Sequence, residues 1–284
     1  MKIGVTGATG QLGRLVVEKL KEKGLAENLV ALVRTPQKAA DLGIEALEFD
    51  YNNPDTLVEA LKGIDNLILI SGNELGQRAT QHANVIEAAK KAGVKGIVYT
   101  SLLHADTSIL SLAPEHFATE KTLKASGLPY TILRNGWYTE NYTGSVAGAV
   151  AAGAFIGSAG DGKISSAARA DFADAAVAVI TSTGHENKVY ELAGDESYTL
   201  AELAAEISKQ SGKTIPYNNL SETAYADILK GFGLPEMFAE AIASWDTGAS
   251  KGDLLDESHQ LSKLIGRPTT PLAETVKVAL SGAK

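Results

Sequence analysis

The residues best placed to do chemistry stand at the start of the chain. Gly7-Ala8-Thr9-Gly10-Gln11-Leu12-Gly13 follows directly on the apolar run Ile3 to Thr6 and leads into a segment of helical period. Glycines at this spacing permit a tight turn and a close backbone approach, and the helix that follows presents unpaired N–H groups. The pattern therefore points to a pyrophosphate held at the turn of Gly7, Gly10 and Gly13 and the helix start that follows. Three such glycines taken alone also suit an ordinary strand-to-helix turn; their place at the first junction of a long alternating pattern favours a dinucleotide. The second apolar run ends in Arg34, a cation where NAD sites use an acid to hold the ribose 2′-hydroxyl. A guanidinium fork suits a 2′-phosphate, so NADPH is the expected cofactor, with a solvated strand-end arginine as the competing account. Ser71-Gly72-Asn73 and Thr100-Ser101 end later runs, where ligands of open α/β sheets lie, and both are expected to line the cofactor trough.

Positioning such residues requires a sheet with helices between its strands. Short apolar runs recur at Ile3 to Thr6, Leu29 to Val33, Ala46 to Phe49, Asn66 to Ser71, Gly96 to Thr100, Tyr130 to Leu133 and Val189 to Leu192. Segments of helical period separate them, as in Leu12, Leu15, Val16 and Leu20. The alternation predicts right-handed βαβ units and an α/β fold of Rossmann type, a doubly wound parallel sheet with a smaller, mostly helical C-terminal domain. Residues 1–135, with a returning segment at about 165–195, read as the NADP-binding domain; 136–164 and 196–284 read as the smaller substrate-binding domain. Six glycines between Gly144 and Gly162 argue against a regular element there. Thr199 with Glu202 forms a capping-box pattern, and helices are expected around Glu222 to Leu229, Met237 to Ser244, Ser258 to Leu264 and Pro271 to Ser281.

Composition removes several classes of function. With 44% apolar and 21% charged residues over 284 positions, the chain is an ordinary globular one. The net charge of 26 − 34 = −8, without a long basic run, makes nucleic acid a poor partner. The absence of cysteine removes disulfides, thiolate metal sites and thiol redox chemistry, and no metal ligands are expected. The apolar start is broken too early for a signal segment, and no stretch is long enough to span a bilayer, so a soluble cytoplasmic protein is expected. Sequence does not give its oligomeric state.

Short-chain reductases carry a Ser or Thr at the end of the fifth strand and a Tyr-x-x-x-Lys pair on the next helix. Ser101 and Lys121 are present here, but Phe117 stands where the tyrosine would be, with His116 one position away. A helical neighbour points about 100° away, which favours an ordinary half-buried histidine at 116. The spacing Gly7-x-x-Gly10-x-x-Gly13 resembles the extended and atypical members of that superfamily. Arg34, Glu74 to Arg78, Tyr99 to Ser108, Leu133 to Tyr138, Ala159 to Lys163 and Gly248 to Gly252 make the chain similar to the NmrA-like branch of atypical short-chain reductases. The resemblance spans nearly the whole chain. It implies a two-domain NADPH binder that reduces quinones, with cofactor contacts at Gly7 to Leu12, Arg34, Ser71 to Asn73 and the stretch after Gly136. Trp137, Tyr138, Asn141 and Arg169 complete the expected contacts. Tyr138, Lys121 and Ser101 are the expected catalytic residues, Tyr138 as the ring that stacks on a quinone. Lys121 leans on the nicotinamide ribose or stabilises developing charge, with a solvated helix lysine as the competing account. Two other functions stay open: reduction of other conjugated acceptors such as triphenylmethane dyes, and a dinucleotide-binding redox sensor without catalysis.

Overall fold

The computed structural model describes residues 1–282. Its strands and helices alternate from the start: β1 (Ile3–Thr6), α1 (Gln11–Glu22), β2 (Leu29–Val33), β3 (Glu45–Glu48), α2 (Pro54–Ala60), β4 (Asn66–Leu69), α3 (Arg78–Ala92), β5 (Gly96–Leu102), α4 (Ala113–Ala125) and β6 (Tyr130–Asn135). There follow α5 (Glu140–Thr143), α6 (Val146–Ala152), β7 (Phe155–Gly157), α7 (Arg169–Thr181), β8 (Lys188–Leu192), α8 (Leu200–Ser211) and β9 (Tyr217–Asn219). The last four helices are α9 (Glu222–Gly231), α10 (Glu236–Ser250), α11 (Gln260–Ile265) and α12 (Leu272–Ser281).

Seven strands form one sheet in the order β3-β2-β1-β4-β5-β6-β8, with parallel registers such as Ile3 opposite Leu29 and Ile97 opposite Tyr130. This is the doubly wound sheet that the alternating runs predict. β1 and β2 are buried at every position, which is why they read as unbroken apolar runs, whereas β3 at the edge exposes both end glutamates. α1 packs against α7, and α2, α3 and α4 pack in succession. A core of Leu32, Phe49, Leu67, Leu69, Val85 and Tyr99 fills the space beneath this second set.

The chain divides into two compact units. Met1–Asp106, Leu112–Asn135 and Arg169–Glu191 make the first; Thr107–Ser111, Gly136–Ala168 and Leu192–Lys284 make the second. In the second, β7 and β9 form a small parallel sheet among helices. The glycine-rich stretch departs from its sequence expectation here, because it contains both α6 and β7. α6 is built from alanines and valines, buries Val146 and Ala149, and ends at Gly153 in the left-handed region (φ +79°). The capping box forms as read: the Thr199 side chain accepts from Glu202 N–H at 3.2 Å, and Glu202 accepts from Thr199 N–H at 2.7 Å. Asp246 of α10 accepts Ser158 N–H at 2.9 Å and the Tyr142 hydroxyl at 3.1 Å, tying α10 to β7 and α5. Burial pushes this carboxyl up to about 6.

Candidate active site

In the first unit the switch in strand order falls between β1 and β4, where the sheet opens beyond their carboxyl ends. Gly7 ends β1 in the left-handed region (φ +59°) and donates its N–H to Leu32 O at 3.1 Å. Gly10 N–H then closes the turn onto Gly7 O at 2.8 Å. Gly13 is demanded by packing, since a Cβ there would run into Gly7 O and stand 2.7 Å from Ala8 Cα. No side chain caps α1 and no acid lies in its first turn. The helix start thus keeps backbone donors and its positive dipole end for an anion, which fits a dinucleotide pyrophosphate. Thr9, Gly10 and Gln11 lie at this mouth, whereas the Leu12 side chain is buried and only its backbone can serve a ligand.

Arg34 leaves the end of β2 exposed and meets Glu74 Oε1 at 2.8 Å. The Ser71-Gly72-Asn73 turn after β4 is fixed by its neighbours. Ser71 N–H donates to the Thr100 hydroxyl at 2.9 Å, Gly72 N–H to His82 Nε2 at 3.0 Å, and Arg78 Nε to Gly72 O at 2.7 Å. Because Gly72 is the donor, His82 Nε2 carries the lone pair. Its protonated Nδ1 then faces the Thr119 hydroxyl at 3.0 Å, and that hydroxyl donates to Glu115 O at 2.9 Å. A neutral ring is required, and burial, reinforced by Arg78, pushes His82 down to about 3. The Glu115 carboxylate accepts Gly76 N–H at 3.1 Å and Arg78 N–H at 2.9 Å, fastening the start of α3. These holding residues escaped the sequence reading; a histidine, threonine and glutamate on helical segments show no local sign of reaching a turn.

Tyr51 bonds its hydroxyl to the Thr6 hydroxyl and to Ile70 O, beside the mouth of β1 and β4. Asp50 closes the turn after β3 by accepting Asn52 N–H at 3.0 Å.

Ser101 is buried, and its hydroxyl donates to Glu120 Oε1 at 2.7 Å. Glu120 also accepts Arg134 Nε at 2.9 Å and Nη2 at 2.8 Å, while Arg134 Nη1 reaches Asp106 at 2.8 Å and Glu191 at 2.7 Å. Burial works against the arginine's charge, but the hydrogen bonds it donates to Glu120 and Glu191 outweigh it and hold the guanidinium above its ordinary value. Lys121 is exposed on α4 with its ammonium 4.1 Å from the Phe117 ring centre. His116, more enclosed than the half-buried residue expected, faces the Tyr99 hydroxyl through Nδ1 at 2.8 Å. Burial keeps it neutral, far below its usual value. Arg169 is the first residue of α7 and half-buried.

In the second unit Gly136 donates its N–H to Leu192 O at 2.7 Å. Trp137 is buried with its ring edge-on to Trp245, centres 5.6 Å apart. Tyr138 is half-buried and bridges in parallel to Ala167, and Asn141 is exposed on α5. Among the described residues no cluster of three His, Asp or Glu could hold a metal ion, and no helix is long and apolar enough to cross a membrane.

A family model described as NAD(P)H-binding matches residues 7–183. Quinone oxidoreductase 2 of Escherichia coli K12 is 58% identical over 277 residues, covering 96% of this chain and 97% of that protein. The crystal structure of the NADPH-dependent E. coli quinone oxidoreductase with NADPH superposes with a TM-score of 0.95, covering 98% of this chain and 99% of that one. The Citrobacter sp. triphenylmethane reductase complexed with NADP(H) gives 0.94 at 42% identity, covering 98% and 100%. With that glycine turn, that arginine and these relatives along nearly its whole length, the chain belongs to the NAD(P)H-binding, NmrA-like branch of atypical short-chain reductases.

Proposed function

We propose that this protein reduces quinones with NADPH in one two-electron step and without a flavin. The observation that carries the reading is the 58% identity to E. coli quinone oxidoreductase 2 over 96% of the chain. The open helix start beside Gly10 and the strand-end Arg34 support it independently. When bound, NADPH supplies the hydride. Gly7, Thr9, Gly10, Gln11 and Leu12 hold its pyrophosphate, Arg34 its 2′-phosphate, and the pinned Ser71-Gly72-Asn73 turn lines its trough. Arg169, at the start of a helix, is assigned to a cofactor phosphate or a substrate oxygen, and Gly136, Trp137, Tyr138 and Asn141 to the nicotinamide end.

The absent tyrosine follows from the acceptor. A ketone reduced to an alcohol needs a positioned acid to avoid a strongly basic alkoxide, whereas a quinone that has taken up hydride is a delocalised, weakly basic phenolate. A single proton from solvent then neutralises that anion, and hydroquinone leaves. Orientation then replaces acid catalysis as the main contribution. We assign stacking on the acceptor ring to Tyr138 and charge stabilisation at the ribose end to Lys121. Ser101, whose hydroxyl is engaged by Glu120, acts as a positioning residue that fixes the end of β5. A second reading extends the acceptors to triphenylmethane dyes, on the strength of the Citrobacter enzyme at 42% identity.

The test is NADPH absorbance followed on adding a small quinone to flavin-free protein. Steady turnover is expected. Strict dependence on added flavin would refute the direct route, and binding without turnover across a broad acceptor panel would favour a sensor.

A further inference from the structure

The arginine assigned to the 2′-phosphate is already engaged. Arg34 Nη1 donates to Glu74 Oε1 at 2.8 Å, and the other carboxylate oxygen of Glu74 accepts Gln81 Nε2 at 2.8 Å. Gln81 is 3% exposed and also donates to Asn52 Oδ1 at 3.1 Å, so the glutamate is anchored from behind by a side chain that packing holds still. Arg34, 62% exposed, is the less enclosed member of the pair. We infer that Glu74 is a built-in competitor for the 2′-phosphate, a specificity-determining residue that weakens NADPH binding by occupying and neutralising Arg34. This rests on the assignment of Arg34 to the 2′-phosphate.

Two routes lead to the same sign. If the guanidinium leaves Glu74 for the phosphate, the carboxylate–arginine pair is lost on binding. If it keeps Glu74 and turns its other edge outward, the phosphate meets a pair of net charge zero beside a fixed anion. A ligand without the 2′-phosphate gains nothing from Arg34 and suffers no such repulsion. An exposed ion pair contributes up to about 1 kcal/mol, which is about fivefold in affinity, and like-charge repulsion adds to it.

Glu74→Gln preserves shape and leaves an oxygen for Gln81. We expect it to tighten adenosine 2′-monophosphate, measured by calorimetry at low ionic strength, by about three- to tenfold. Adenosine 5′-monophosphate should change less than twofold, and the melting temperature should be kept. NADPH should follow the first ligand and NADH the second. The same titrations on Arg34→Ala separate the two ideas: it should weaken adenosine 2′-monophosphate and NADPH by about one to two decades and leave the unphosphorylated ligands nearly unchanged. If Arg34→Ala does not discriminate between them, the phosphate assignment fails. If Arg34→Ala discriminates but Glu74→Gln leaves 2′-phosphate binding unchanged, weakens it, or tightens both ligands alike, the competitor role is overturned.

Discussion

Two residues expected to act in catalysis differ most clearly in their surroundings. Ser101 lies in a closed network with Glu120 and Arg134, whereas Tyr138 is half-buried in the segment that leaves β6. Ser101→Ala removes a hydrogen bond to a buried carboxylate, a loss of about 1–3 kcal/mol that should appear as a lower melting temperature with kcat within a few-fold of wild type. Tyr138→Ala should do the opposite, lowering kcat/KM for quinone at least tenfold at an unchanged melting temperature, with NADPH affinity falling by a smaller factor. A Ser101→Ala protein that folds and binds NADPH normally but loses several hundredfold in kcat would return the hydroxyl to the chemistry. At this scale the sequence was informative about which residues to watch but silent about their partners. Arg34 shows itself by standing at the end of an apolar run; Glu74, forty positions on, meets it only because β2 and β4 flank β1.

Among elements, the junction of β1 and α1 is the most constrained. Gly13→Ala would drive a methyl into Gly7 O and Ala8, so the helix must lift off the strand that it follows. Overpacking of this kind typically costs about 1–3 kcal/mol and here also moves the N–H groups meant for the pyrophosphate. Thermal unfolding and NADPH titration should both record the loss, and a variant with normal affinity would show that α1 does not hold the cofactor. The parallel strands were legible because burial on both faces makes them continuous apolar runs bounded by turns. α6 and β7 were not, because glycines that end and flank these short elements look, in sequence, like glycines that prevent them. The turn after β4 was legible as a place, while its pins on α3 and α4 come from helix faces whose apolar period gives no hint of a polar task.

For the whole molecule, the buried titrating groups set how stability depends on pH. His82 has a folded value of about 3 against an ordinary 6.5, so the unfolded chain takes up the proton first. Its contribution is present above about 6.5 and is lost as pH falls toward 3, at up to about 1.4 kcal/mol per pH unit. His116 shifts the same way. Asp246, raised to about 6, opposes them: its charge penalises the folded state above that value, and the penalty is relieved between about 6 and 4. Two histidines against one carboxylate predict a melting temperature that falls between pH 6.5 and 4. His82→Gln, which offers Gly72 an acceptor that does not titrate, should have a distinctly shallower fall. An equally steep profile in that variant would show that the His82 ring is not held neutral.

Both tryptophans of the chain, Trp137 and Trp245, belong to the second unit and touch edge to face. Intrinsic tryptophan emission from this protein therefore reports on that unit alone, and loosening of the sheet around β1 to β6 is dark to it. Far-ultraviolet circular dichroism, by contrast, sees the helices of both. Coincident denaturant transitions by the two probes would mark the units as one cooperative system, and a gap between them would reveal which unit gives way first.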